Sequence, residues 1–219
     1  MAAVTITVVD IYLLKYFLLW FATRYRAVVK FSHMREHPKK HRYQIGKNSV
    51  IWDDQQERLV RIPKPTEELK WFVSGFVDGE GSFCLNIKKH ARSKNGFRVD
   101  PAFYVYQHEK NRWILEVIKE MFEHGSIHRK TSPYSVLTYQ IAGIKPCYEK
   151  VIPFFEEYCL ATKQEVFELF SKGVTLMYNK EHLKREGMIK LVNIAYSMNL
   201  LGKGKKWEKE EILARILRD

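Results

Sequence analysis

Residues 71–83 read W-F-V-S-G-F-V-D-G-E-G-S-F. The nine at the centre, 73–81, decide the fold. Leu69, Phe72, Val73, Phe76 and Val77 recur at helical spacing and predict one buried helix face. Gly75 and Gly79 are four apart, so they share another side of that helix, with Ser74 a third small side chain nearby. Small residues at this spacing let two helix backbones approach closely. A glycine inside a helix costs about 1 kcal/mol against alanine. Two of them point to a close contact that offsets the loss. Asp78 and Glu80 arrive at the helix C-terminus, where acids oppose the dipole. That placement makes sense if a cation is bound, and carboxylate oxygens suit Mg²⁺. A two-fold partner would bring a second Glu80 close by, giving the acidic cluster that metal-assisted phosphodiester hydrolysis needs.

Outward from this stretch the order is regular. Thr66 can N-cap the helix, with Glu67 and Glu68 in its first turn. After the motif, Phe83, Leu85 and Ile87 alternate with Cys84, Asn86 and Lys88, a half-buried strand. Residues 97–108 alternate again, with Val99, Phe103 and Val105 on one parity. A helix from about residue 111 carries Ile114, Val117, Ile118, Met121 and Phe122 on one face and is expected to stop at Gly125. Two more alternating stretches, 125–131 and 135–143, follow. Pro146 is expected to open a third helix, kinked at Pro153. Helical patterns then span 162–178 and 183–199. Helix, two strands, helix, two strands, helices is an α+β arrangement: one antiparallel sheet with helices on one face.

The outer parity of that sheet reads Asn86, Lys88, His90, Arg98, Tyr104, Tyr106, Ser126, His128, Lys130, Thr138 and Gln140. None of these is acidic, whereas an ordinary solvent face mixes both signs. Amides, hydroxyls, aromatics and bases on a strand platform suit contacts to base edges and phosphates in a groove.

The whole chain has 219 residues, 46% hydrophobic, with 37 Lys and Arg against 25 acids, a net charge of +12. The apolar share excludes disorder over most of the chain, and the positive excess favours a polyanionic partner. Three cysteines (Cys84, Cys147, Cys159) are too few for a disulfide scaffold and fit a reducing compartment. Residues 4–22 approach the length of a bilayer span, but Asp10 and Lys15 inside that window argue against one. Residues 24–47 hold eight Lys or Arg and one acid, Glu36. His33, His37 and His41 repeat every four residues there, but Pro38 interrupts a helix and no cysteine pair accompanies them, so a solvated or phosphate-contacting arm is expected rather than a zinc site. The expected division is an N-terminal extension (1–62), a catalytic domain (63–201) and a basic tail (202–219), with Pro63 and Pro65 marking the linker.

The motif resembles the signature of the LAGLIDADG homing endonucleases. The spacing of Gly75, Asp78, Glu80 and Gly81 agrees with it, and residues 94–108, 125–130, 149–158 and 195–207 resemble the single-motif branch found in group I introns of chloroplast ribosomal RNA genes. The resemblance covers about residues 66–206. It implies an αββαββα core whose antiparallel β-saddle lies in the DNA major groove. The motif helices would pair at a two-fold axis, with Ser74, Gly75, Asp78 and Gly79 at that interface. It implies a homodimer on double-stranded DNA, Mg²⁺ as cofactor with Mn²⁺ able to substitute, and cleavage leaving short 3′ overhangs. Glu80 matches the metal-binding acid. Asp78 matches the acid that supports the helix end. Gln107 sits where family members place a polar residue that orients water, and Lys163 lies in a block resembling the one that supplies the pocket lysine. On the residues alone, Gln107 is also readable as a satisfied buried amide and Lys163 as a surface helix residue. Where some members carry a pocket arginine, this chain has Asn111 or Arg112. The implied location is the chloroplast, with the mitochondrion the alternative. Two other functions share these features: a group I intron RNA-splicing maturase, and a DNA-binding regulator that does not cut.

Overall fold

The computed structural model describes residues 40–45, 48–53, 58–61, 65–93, 96–129, 135–198 and 207–218. The apolar stretch 4–22, most of the basic arm, Pro63 and Lys130 lie outside the described residues. The chain divides into two compact units, residues 1–72 and 73–219. The first contains an antiparallel meander of β1 (Lys40–Ile45), β2 (Asn48–Asp53) and β3 (Arg58–Arg61). Among the described residues of this meander, Ile45, Val50 and Trp52 are buried. No helix among the described residues is long and apolar enough to cross a membrane.

The helix expected after Thr66 is α1 (Glu67–Glu80), and the unit boundary falls inside it. Thr66 Oγ1 accepts a hydrogen bond from the Leu69 amide at 3.3 Å, the N-cap geometry that its hydroxyl favours. Glu80 ends α1 and Gly81 starts β4 (Gly81–Lys89) with no intervening loop. β5 (Phe97–His108), β6 (Ser126–Arg129) and β7 (Val136–Ala142) complete a four-stranded antiparallel sheet in the order β4-β5-β7-β6. Helix α2 (Arg112–Phe122) separates the two strand pairs.

Period-two alternation puts Phe83, Leu85, Val99, Phe103, Val105, Leu137, Tyr139 and Ile141 on the buried face. Phe83 is a hub there: its ring centroid lies 5.3 Å from Phe103, 5.3 Å from Phe155, 5.5 Å from Phe167 and 5.4 Å from Phe170. Among the described residues, helices cover this face alone, as the pattern predicts. α3 (Ile144–Pro146) and α4 (Ile152–Glu157) flank a π-helical turn, Cys147–Val151. The helix therefore opens two residues before Pro146, and the expected kink becomes this wide turn. Pro153 has no N–H and would clash with an α-helical carbonyl four residues back. The Ile152 amide reaches back five residues to the Cys147 carbonyl.

α5 (Gln164–Tyr178) and α6 (Arg185–Ser197) follow. Gly173 lets α5 lie close on the sheet, because a Cβ there would stand 2.5 Å from Leu85 Cδ1. Helix α2 ends differently from expectation: Glu123 takes the left-handed turn (φ 48°), and Gly125 (φ 90°) leads into β6. The tail expected to be merely basic contains α7 (Lys209–Arg218), with Ile212 and Ile216 buried. Its approach is fixed by Trp207, whose ring lies 6.0 Å from Phe97 and beneath the Lys89 ammonium at 3.8 Å. The helix carries Ile212, Leu213, Ile216 and Leu217 among charged residues, and of these Ile212 and Ile216 are the buried pair.

Replacing Ile212 with alanine should lower stability by about 2–4 kcal/mol in urea denaturation. An unchanged midpoint would show that α7 contributes nothing to the core.

Candidate active site and nucleic-acid interface

The C-terminal turn of α1 gathers the candidate catalytic groups. Val73 and Val77 point into the core, and Ser74 is as buried as they are, at 1% exposure. Its hydroxyl faces two carbonyl oxygens, Tyr158 at 2.9 Å and Cys159 at 3.0 Å. Ser74 therefore cannot line a surface between subunits. It sits three residues before Val77, on the same inward side. Asp78 is also engaged within the chain. Its Oδ1 accepts from the amides of Thr162 and Lys163 at 2.9 Å each, and Oδ2 accepts from Thr162 at 2.9 Å. These amides open α5, so the carboxylate satisfies donors at that helix N-terminus and complements its dipole.

Lys163 returns the contact. Its Nζ donates to the Gly79 carbonyl at 2.8 Å and the Val77 carbonyl at 3.3 Å, the last acceptors of α1. The last turn of α1 holds no basic residue of its own; Lys163 supplies that positive charge from another segment. Burial pulls the Lys163 ammonium below the ordinary 10.5, while Asp78 and Glu80 nearby push it the other way. Lys163 is thus not a free surface lysine.

Glu80 is exposed, and no hydrogen bond or ion pair among the described residues takes its carboxylate. Beside it, a Cβ built on Gly79 would meet nothing within 4 Å. The fold of one chain does not require glycine at that position. No cluster of three or more His, Cys, Asp or Glu able to hold a metal exists among the described residues. One chain offers a hard carboxylate donor at Glu80, suited to a cation such as Mg²⁺. The remaining ligands of such an ion would come from outside the described residues.

Gln107 lies two residues beyond Val105, which pairs with Gly81. It is half-buried, and its Oε1 accepts from the His108 amide at 2.8 Å and from Asn111 Nδ2 at 3.3 Å. Its amide nitrogen is left without a partner among the described residues. Of the two pocket candidates at the start of α2, Asn111, its N-cap, is the one that touches Gln107; Arg112 turns to Glu116 at 3.1 Å.

The outer sheet face is registered in rows. Tyr104 stands opposite Ser82 and Gln140, and Gln140 opposite Ser126. Tyr106 stands opposite Thr138, and Thr138 opposite His128. The Tyr104 and Tyr106 rings stack at 6.1 Å. Burial holds both phenols above their ordinary range, so each keeps its O–H. Ser126 Oγ and His128 Nε2 share a hydrogen bond at 2.6 Å. His90 belongs to the β4–β5 turn, where its Nδ1 meets Ser93 Oγ at 2.9 Å. Asn86, Lys88 and Arg98 occupy the expected face. The expectation of an acid-free platform fails at one position: Asp100 shares the parity of Arg98 and Tyr104. It pairs with Lys88 at 3.0 Å and Arg98 at 3.1 Å. Simple alternation already put it there.

Residues 73–174 match the LAGLIDADG endonuclease family. A solved structure titled as the archaeal intron-encoded homing endonuclease I-Vdi141I complexed with DNA is 31% identical, with a TM-score of 0.63, and the match covers 68% of this chain and 94% of that one. The chain is a member of the LAGLIDADG homing endonuclease family. The group I intron-encoded I-CeuI complexed with DNA superposes with a TM-score of 0.66 at 28% identity, over 71% of this chain and 79% of that one. In sequence, DNA endonuclease I-CeuI of Chlamydomonas moewusii is 41% identical over 96 residues, which is 44% of each chain. A probable intron-encoded endonuclease of Neurospora crassa is 32% identical over 129 residues, 58% of this chain and 28% of that protein. The chain thus spans less than half the length of these two curated relatives. The family and its saddle-shaped sheet agree with the resemblance carried by the motif.

Ser74→Ala should cost about 1 kcal/mol in chemical denaturation, because two buried carbonyls lose their hydroxyl donor. Asp78→Ala should cost about 1–3 kcal/mol by stripping the amides of Thr162 and Lys163. Wild-type stability in both variants would show that the segment 158–163 is held by other means.

Proposed function

We propose that this chain is one subunit of a homodimeric, site-specific endonuclease that hydrolyses a phosphodiester in each strand of double-stranded DNA at an intron insertion site, leaving short 3′ overhangs. The observation that carries this reading is the free Glu80 carboxylate on a helix end whose Gly79 faces open space. A second α1 laid against Gly75 and Gly79 would use that space and bring two Glu80 carboxylates together. Family membership and the basic, registered outer face of the sheet support DNA as the substrate. The resemblance to chloroplast ribosomal intron endonucleases supports an organellar ribosomal RNA gene as the target and the chloroplast as the site of action, with the mitochondrion the alternative.

Glu80 would hold the divalent cation, Mg²⁺ or in its place Mn²⁺. Bound there, the ion supplies Lewis-acid stabilisation of phosphate oxygens and a more acidic water. The rest is done by the chain itself. Lys163, already pinned at the end of α1, presents a fixed positive charge where negative charge develops on the phosphate. Gln107 has its carbonyl anchored, which leaves the amide N–H₂ to orient a water molecule. Asp78 keeps Lys163 in place from its backbone side.

Glu80→Gln should bind target DNA with unchanged affinity and lose at least about 10²- to 10³-fold in cleavage rate; retained cutting would remove Glu80 from the reaction. Gly79→Leu should leave the thermal midpoint near wild type yet shift the sedimenting species from dimer to monomer. A dimer of normal affinity would contradict the paired-helix arrangement. Lys163 acts protonated and its pKa is lowered, so the cleavage rate should fall with rising pH below 10.5. Lys163→Arg keeps its proton across that range and should lose this alkaline decline; an unchanged decline would assign it to another group.

A further inference from the structure

An acid on a surface that meets a polyanion needs a reason. Asp100 is half-buried at 30% side-chain exposure, between Lys88 and Arg98 at 57% and 50%. Lys88 stands directly opposite Arg98 in the β4–β5 register, and Asn86 opposite Asp100. Asp100 thus reaches Lys88 diagonally across the strand pair, a neighbour spacing that long side chains span. Both ion pairs use the same oxygen, Oδ2. Oδ1 takes no partner among the described residues.

We propose that Asp100 is a specificity-determining residue: it locks Lys88 and Arg98 into one unit that reads a G·C-containing step near the end of each half-site. The proposal rests on the reading of the outer sheet face as the DNA-contacting surface. Lysine and arginine side chains are flexible, and on a bare platform they would find phosphates or any acceptor. Tethering both to one carboxylate oxygen restricts where their remaining donors point. Arg98 keeps N–H groups beyond the one facing Asp100, and the arginine fork matches guanine O6 and N7. Oδ1 is an acceptor of the kind that meets the cytosine N4 amine. The same carboxylate repels phosphate and acceptor-only edges, so it acts against wrong sites as well as for the right one. Affinity is given up for discrimination, which explains an acid in this position.

The test is a binding selection from randomised duplex DNA with full-length protein carrying Glu80→Gln, compared with the same protein carrying Asp100→Asn as well. The single variant should enrich a site with strong G·C preference at one or two adjacent base pairs in each half. The double variant should bind non-specific DNA more tightly and lose that preference by about tenfold at those pairs only, since one bidentate contact carries discrimination of that order. Arg98→Met in the same background should lose the preference without the gain in non-specific binding. Identical profiles with and without Asp100→Asn would overturn the proposal while leaving the endonuclease reading intact. If the single variant enriched no sequence at all, the endonuclease reading would fall, and this proposal with it.

Discussion

Two ends of chain hold each other at the centre of this domain. Asp78, near the end of α1, takes the amides of Thr162 and Lys163 at the start of α5. Lys163 in turn takes the carbonyls of Val77 and Gly79 at the end of α1. An acid placed against one dipole and a base placed against the other compensate both helix ends at once. Ser74, a turn earlier, extends the strap to Tyr158 and Cys159. Between them these contacts fix the one carboxylate that stays out of the network, Glu80. The chain then passes straight into β4, so the same geometry sets the end of the sheet relative to Glu80 and Lys163.

This division of labour explains why the two motif acids cannot exchange roles. Asp78 makes three hydrogen bonds to backbone and is held inward. Glu80 lies two residues on, about 200° around the helix, and is exposed. The lysine opposite them is held by carbonyls rather than by an ion pair, which leaves its charge directed at the same open corner. On the proposed function, such an arrangement would provide fixed charges before substrate arrives, the condition under which electrostatic stabilisation of phosphoryl chemistry is most effective.

Much of this was legible in the residues. Period-two alternation marks all four strands of the sheet, and the Thr66 cap with Glu67 and Glu68 after it marks the start of α1. The role of Asp78 and the nearness of Lys163 came from family resemblance, not from spacing, because the residues in contact lie 84 and 85 apart. Small size at a motif position suits helix–helix contact, but in this chain the Ser74 side chain is buried against the Tyr158 and Cys159 carbonyls. Asp100 was missed although its parity was plain. Helix α7 is hard to read from sequence because Ile212 and Ile216 stand among charges, and Phe97, whose ring its Arg215 faces at 5.4 Å, is distant in sequence. The first unit gave little to sequence reading beyond its positive charge.

The most direct test of the central claim is anomalous diffraction from the protein co-crystallised with its DNA target and Mn²⁺. Manganese should lie at a two-fold axis, ligated by the Glu80 carboxylates of two copies and by DNA phosphate oxygens, with Lys163 facing the same phosphates. A single copy on the duplex, or manganese bound away from Glu80, would contradict it.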